Sequence, residues 1–450
     1  MKKNLITFAA VIAALSLAGC SAGGIAPTNG PETGGFGGSG SSGAAVGSSR
    51  YEGSDIGGRK ESFIDKIGGI FDGSTKDIAG TADEGYFTEA EATAPSGGYA
   101  GADILPDDCI IDETPEITPQ SGLLTGGEWN DNEHWADWNA LYGSHSDWNG
   151  YKSDWRIADD YRLTVTVTSD GKPLEGARVT WGGSVSAITD NKGEAYLFSE
   201  GMPTEVTVTC GDKSATSLVD WVLDEHDLHF TVNLDGAVSP IAQKLDLMIM
   251  CDTTGSMGDE LEYLKVELED IVKSIKSQNA NIPTRISVNF YRDTDDEYEV
   301  RQFPFSDNID DVAAAIREQS ASGGGDFPEA VHTALGSAVN NHDWDEDSVK
   351  IMFLVLDAPP HDDVQIIDSV NKYVAKAAEM GIRIIPVASS GIDKSTEYLL
   401  RTMAFTTGGT YTFLTDDSGV GYGHIEPTVG AYNVEKLKDM MIRIVNGYLE

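Results

Sequence analysis

The chain has 450 residues, enough for about two or three domains. Acidic residues number 73 against 31 basic ones, giving a formal net charge of −42. Such a surface repels nucleic-acid phosphates and anionic lipid, which sets both aside as partners, and it suits cations and solubility.

The N-terminus carries a processing pattern. Lys2 and Lys3 precede an apolar run from Leu5 to Leu15, followed by Leu17-Ala18-Gly19-Cys20. The run is too short to span a bilayer, and the small residues before Cys20 mark a cleavage site. Residues 1–19 resemble a bacterial lipoprotein signal peptide, which implies Cys20 as the lipid-modified first residue of the mature chain. An ordinary signal peptide with a chance cysteine is the other reading. No later segment reads as a transmembrane helix. The expected location is therefore a bacterial membrane, held by lipid and facing outside the cytoplasm at the cell surface.

Residues 20–108 follow as a tether. From Ser21 to about Ser49 the chain is Gly, Ser and Ala with few apolar residues, too little to offset chain entropy, so disorder is expected. Weak patterning continues to Asp108, with one short helix expected around Phe63 to Phe71. As a flexible coil, some 80 residues reach about 50 Å. Of the remaining cysteines, Cys251 lies in an apolar strand and reads as a small core residue. Cys109 and Cys210 are free to pair in an oxidising compartment if their geometry allows, and the sequence leaves that open.

An acidic, tryptophan-rich segment occupies 109–160. Trp135, Trp138 and Tyr142 fall at i, i+3 and i+7, one face of a short helix. Exposed, such rings would stack on sugars. Helical spacing instead marks burial, so the segment is expected to latch onto a following domain. Between 161 and 236 the period changes to two. Leu163, Val165 and Val167 alternate with polar residues, as do Val206, Val208 and Cys210, then Leu228, Phe230, Val232 and Leu234. With turns at Ser169-Asp170-Gly171 and at "TDNKGE", this predicts a small antiparallel sandwich. The "DGKPLEGARVT" and "TDNKGEAYL" stretches resemble transthyretin-like or carboxypeptidase-regulatory-like modules of exported bacterial proteins. That resemblance implies a spacer or adhesive unit without chemistry.

From 245 to 450 short apolar runs ("LDLMIMCD", "RISVNFY", "KIMFLVLD", "GIRIIPVAS") alternate with helical patterns. Leu261, Leu264, Leu268, Ile271 and Ile275 repeat at steps of three and four. This predicts an α/β fold, a Rossmann-like, doubly wound and mainly parallel sheet. In such sheets ligands bind beyond the carboxyl ends of the strands. Two strands end in aspartate, at Asp252 and Asp357. Thr254 and Ser256 add hydroxyl oxygens at alternate positions on the first turn. A third loop, "SASGGGDFPEA", brings Asp326, with Pro328 at the first position of the next helix. Hard oxygen ligands favour Mg²⁺, with Ca²⁺ or Mn²⁺ able to substitute. The alternative is that Thr254 or Ser256 caps a helix and that Asp259 and Glu260 oppose its dipole. Capping, however, does not call for Asp357 on a second strand.

Asp252-Thr253-Thr254-Gly255-Ser256 resembles the Asp-x-Ser/Thr-x-Ser signature of von Willebrand factor type A domains, whose site is the metal-ion-dependent adhesion site. With "YRDTDDEY", "GGGDFPEA" and "VLDAPPHDD", the segment is similar to the hemicentin-like branch. The resemblance implies Asp252, Thr254, Ser256 and Asp357 as the metal set. Where many members place a threonine in the middle loop, this chain offers Asp326. Asp259 and Glu260 resemble an adjacent second cation site of some relatives. The implied function is cation-dependent protein binding or adhesion, a partner presenting an acidic side chain to the metal. An envelope scaffold with a structural metal is the competing reading. A Mg²⁺-dependent hydrolase using His361 is a further one, although no phosphate-binding loop, metalloprotease motif or nucleophile elbow is present.

Overall fold

The computed structural model describes residues 119–221, 226–421 and 423–450. The expected signal peptide, Cys20, the tether and Cys109 lie outside the described residues. Strand β1 (Thr125–Trp129) is followed by two helices, α1 (Trp135–Ser144) and α2 (Trp148–Asp154). Eight strands come next: β2 (Tyr161–Ser169), β3 (Lys172–Pro173), β4 (Arg178–Trp181), β5 (Val185–Ile188), β6 (Glu194–Ser199), β7 (Glu205–Cys210), β8 (Lys213–Leu218) and β9 (Asp227–Asn233). They form two four-stranded sheets, one of β3, β2, β6 and β9, the other ordered β5-β4-β7-β8. Leu163, Val165, Val167, Val179, Trp181, Leu197, Val206 and Val208 share one buried cluster between them. Inward-pointing alternate residues of β2, β4, β6 and β7 supply most of it, as period-two patterning requires. Cys210 is a buried free thiol whose Sγ donates to Val238 O.

The rest of the chain alternates strand and helix: β10 (Leu245–Asp252), α3 (Leu261–Gln278), β11 (Thr284–Tyr291), β12 (Val300–Arg301), α4 (Ile309–Arg317), α5 (Val331–Asn340), β13 (Val349–Leu356), α6 (Val364–Met380), β14 (Ile382–Ala388), α7 (Lys394–Thr407), β15 (Tyr411–Leu414), β16 (Glu435–Lys436) and α8 (Leu437–Leu449). These strands build an eight-stranded sheet ordered β12-β11-β10-β13-β14-β15-β1-β16. β11, β10, β13, β14 and β15 run parallel, and the edges are antiparallel. Every residue of β10 is buried because both faces of the sheet are covered. Leu247, Ile249 and Cys251 point to the cluster formed with α3, α4 and α8. Met248 and Met250 point to the opposite cluster, formed with α5, α6 and α7.

The boundary expected at 245 is not the boundary of this sheet. β1 is inserted between β15 and β16, antiparallel to both. A Cβ at Gly126 would come within 2.7 Å of Phe413 O, and one at Gly127 within 2.6 Å of the Phe413 ring. Glycine is thus what admits the strand. The two-sheet module therefore sits within the sequence of the main domain rather than before it. Tertiary pairing decides this, and a five-residue strand with two glycines carries almost no period-two signal.

The tryptophan helices lie on α7. Trp135, Trp138, Trp148 and Trp155 are buried in the α5–α7 cluster. Arg401, on α7, is 1% exposed and is clamped by Asp131 through Nε at 3.0 Å and Nη2 at 2.6 Å. Its guanidinium lies 4.9 Å from the centre of the Trp138 ring. Buried Glu267, on α3, accepts from Gly122 N at 2.5 Å and Lys438 N at 3.2 Å, tying the start of the described chain to α8. Removing one partner of a buried ion pair strands the other. Asp131→Ala should therefore lower unfolding free energy by about 3–5 kcal/mol, read from urea denaturation. A shift below about 1 kcal/mol would show that buried Glu397, 3.6 Å from Arg401 Nη1, suffices to hold the guanidinium without Asp131.

Candidate metal centre

β10 and β13 are hydrogen-bonded neighbours in parallel register, with Cys251 opposite Val355. Asp252 and Asp357 therefore emerge together at the carboxyl edge, and both are buried, at 0% and 4% exposure. Oδ1 of Asp252 accepts from Thr254 N at 2.8 Å and from Thr254 Oγ1 at 2.7 Å. Thr254 Oγ1 lies 3.1 Å from Ser256 Oγ, and Ser256 is exposed. The arrangement is a set of oxygens lying in protein on one side and open at Ser256 on the other. Thr254 occupies the cap position of the short 3₁₀ turn Gly255–Asp259, but its side chain makes no capping bond, and neither does Glu260 at the start of α3. The hydroxyls serve the aspartate, not the helix.

The middle loop differs from expectation. Asp326 is exposed, while Glu329, three residues on, is 2% exposed. Glu329 N donates to Pro359 O at 2.8 Å, and a bridge to Pro360 holds it beside the loop after β13. This turns Glu329 inward and leaves Asp326 and Phe327 at the surface. Gly324, at φ +72°, makes room, since a Cβ there would lie 2.8 Å from Glu329 Oε1. α5 starts at Val331, so Pro328 precedes the helix instead of opening it. Sequence reasoning missed Glu329. The signal available was the glycine run, which announces a loop pressed against something, but not which acid follows it inward.

Burial pushes the Asp252 carboxyl up to about 6, against the pull of its Thr254 hydrogen bonds. Asp357 rises to about 7, through burial and then the charge of Asp252, with Ser256 opposing. Glu329 rises to about 9, through burial and then Asp252, Asp293 and Asp357. Asp252 Oδ2, Asp357 Oδ1 and Glu329 Oε2 are all buried without a hydrogen-bond partner among the described residues. Buried acceptors seldom go unmet, so this donor set fits a hard cation. Among the described residues no three Asp, Glu, His or Cys side chains are gathered closely enough to hold an ion alone. The hydroxyls of Thr254 and Ser256 would have to complete any shell.

Asp259 and Glu260 have other company. Glu260 is fully buried, and its Oε1 accepts from Ser390 N at 3.2 Å and meets His424 Nε2 at 2.9 Å. Asp259 Oδ2 accepts from Ser390 Oγ at 3.1 Å. His424 also meets Asp416 at 2.8 Å. Burial lowers the affinity of His424 for its proton, but the bonds to Glu260 and Asp416 outweigh that and hold its pKa above the usual histidine value. The His424 ring thus stands beside Glu260, where the resemblance implied a second cation. His361 Nε2 lies 2.7 Å from Oδ1 of buried Asp293, so this histidine is engaged with a carboxyl of the neighbouring loop.

A sheet-edge pair of aspartates with hydroxyls on the first turn, in a mainly parallel sheet covered on both faces, defines an α/β domain with a candidate site at its carboxyl edge. Residues 246–421 match the von Willebrand factor A domain family, and this stretch of the chain is such a domain. A protein of Acanthamoeba polyphaga mimivirus named as an ariadne-like RING finger protein is 38% identical over 120 residues, 26% of this chain and 11% of its own length. An alpha-protein kinase of Dictyostelium discoideum, vwkA, is 24% identical over 183 residues, 40% of this chain and 29% of its own. The chain thus spans less than a third of either relative.

A carboxyl raised in the folded state keeps a proton that the unfolded chain has released, so stability drains as pH rises through that interval. In chelator, melting temperature should therefore fall between about pH 5 and pH 8, and the gain on adding Mg²⁺ should grow over the same range. A Mg²⁺ increment that is independent of pH, or absent, would show that no ion meets these carboxyls.

Proposed function

We propose that this chain is a divalent-cation-dependent protein-binding or adhesion protein, displayed outside the cytoplasm on a lipid anchor at Cys20. The observation that carries the reading is the trio of buried, unpartnered carboxylate oxygens on Asp252, Asp357 and Glu329 beside exposed Ser256. Mg²⁺ is the ion proposed, with Ca²⁺ or Mn²⁺ as substitutes. When bound it would supply a coordination position for a partner's oxygen. Asp252 and Asp357 would hold it through charge, Thr254 and Ser256 through hydroxyl oxygens. Thr254 also fixes the rotamer of Asp252 through its two hydrogen bonds.

The partner we infer is a protein that brings an acidic side chain to this edge. Phe327 at 45% and Val364 at 54% exposure flank the loops of the site and offer apolar contact around a polar centre. Glu329 sets a limit on that partner. Each carboxylate the chain itself provides reduces what a partner's carboxylate gains. The module at 161–236 is read as a transthyretin-like or carboxypeptidase-regulatory-like spacer. We read the whole chain as a binder rather than an enzyme. The RING finger and kinase descriptions belong to the much longer relatives.

The test is partner capture and melting temperature measured together. Asp357→Ala and chelator should each abolish Mg²⁺-dependent capture. Ser256→Ala should reduce capture with melting unchanged, whereas a scaffold role would lower melting and leave capture intact. Glu329→Gln should tighten capture several-fold by removing the charge that Glu329 would carry once Mg²⁺ displaced its proton. Equal capture in Mg²⁺ and in chelator would rule the proposal out. Phosphoester turnover lost in Asp357→Ala would move the assignment to a hydrolase.

A further inference from the structure

Three exposed carboxylates surround the cation centre. Asp295 lies in the loop between β11 and β12, Asp326 in the loop before α5, and Asp362 in the loop between β13 and α6. None of their side chains makes a hydrogen bond or ion pair among the described residues. Bonds between the loops gather them at one edge. Asp296 Oδ2 accepts from Asp293 N at 3.1 Å and from Gly324 N at 2.9 Å, tying the β11–β12 loop to the loop of Asp326. Glu329 N to Pro359 O, and His361 to Asp293, bring in the loop of Asp362. Gly255 N donates to Gly323 O at 3.1 Å, which joins the turn of Thr254 and Ser256 to the rest. The neighbouring basic side chains are already engaged. Arg292, 5% exposed, donates to Ser320 O and lies 4.5 Å from the centre of the Tyr298 ring. Arg301 donates to Gln319 and lies over the same ring, and Lys265 donates to Glu262 and Gln319 O.

We propose that the partner is a protein segment whose metal-seeking carboxylate is flanked by lysines or arginines, and that these bases meet Asp295, Asp326 and Asp362. The inference rests on the cation-dependent reading above and adds the charge of what surrounds the partner's acid. A bare acidic segment meets a rim of its own sign, which repels it before it reaches the centre. A purely basic segment suits the rim but offers the centre no oxygen. Only a segment that carries both signs answers both, with the acid in the middle. The buried, unpartnered oxygens of Asp252, Asp357 and Glu329 are what separate this edge from a merely acidic surface. Exposed Phe327, next to Asp326, and exposed Val364, two residues past Asp362, give the aliphatic stems of lysine or arginine an apolar surface to lie on.

Three capped peptides would be titrated against the full chain. The first carries one glutamate between two pairs of lysines, the second has serines for the lysines, and the third has glutamine for the glutamate. In Mg²⁺ at low salt the first should bind about tenfold tighter than either of the others, and its lead over the serine peptide should shrink as salt is raised. Chelator should bring the first down to the level of the glutamine peptide. Asp326→Asn combined with Asp362→Asn should weaken the first several-fold and tighten the serine peptide, with melting unchanged. Lysine and serine peptides bound equally in Mg²⁺, or a lysine preference untouched by the two substitutions, would overturn this inference and leave cation dependence standing. Absence of binding by the first peptide in Mg²⁺ would overturn it too. Equal binding of that peptide in Mg²⁺ and in chelator would overturn the cation-dependent reading and this inference with it.

Discussion

Seven residue pairs, from Leu245–Val349 to Cys251–Val355, hold β10 and β13 in parallel register, and the chemistry of the carboxyl edge follows from that register. Two carboxyls that are more than a hundred residues apart in sequence are brought out of the sheet side by side. Helices on both faces bury them. Burial raises their pKa values, and mutual repulsion raises that of Asp357 further. A fold stabilised by apolar strands has here accepted the electrostatic cost of burying carboxyls at its sheet edge.

The domain is also held from outside its contiguous sequence. β1 completes the sheet beyond β15, Asp131 neutralises Arg401 at the centre of α7, and Glu267 binds the backbone at Gly122. All three contacts come from the segment before the two-sheet module. That module joins the main domain through such contacts as Arg383 to Ile188 O and Arg162 to Asn132 O. Its separate core and these polar contacts explain how it can interrupt the domain without disturbing the sheet.

Much of this was legible in advance. The carboxyl-edge aspartates were readable because a buried parallel strand is an apolar run, and an acid at its end stands out. The match of residues 246–421 to the von Willebrand factor A domain agrees with the resemblance carried by those motifs. Tryptophan burial followed from helical spacing. The middle loop was not legible. Asp326 and Glu329 are both acids near three glycines, and only the backbone bond from Glu329 to Pro359 O selects the one that turns inward. Asp259 and Glu260 were ambiguous for a similar reason, because His424 lies some 160 residues away and has no local signature.

The sequence by itself determined what is local and periodic: an alternating α/β order, the strand ends, the hydroxyls two and four residues beyond Asp252, and a change to period two at 161. These follow from side-chain direction along a strand or helix, which neighbouring residues alone specify. Only the tertiary structure decided which distant segments share an edge: β1 inside the main sheet, Glu329 instead of Asp326 turned inward in the middle loop, and His424 against Glu260. Such pairings depend on loop closure and on packing between elements, and no short window of sequence contains both partners.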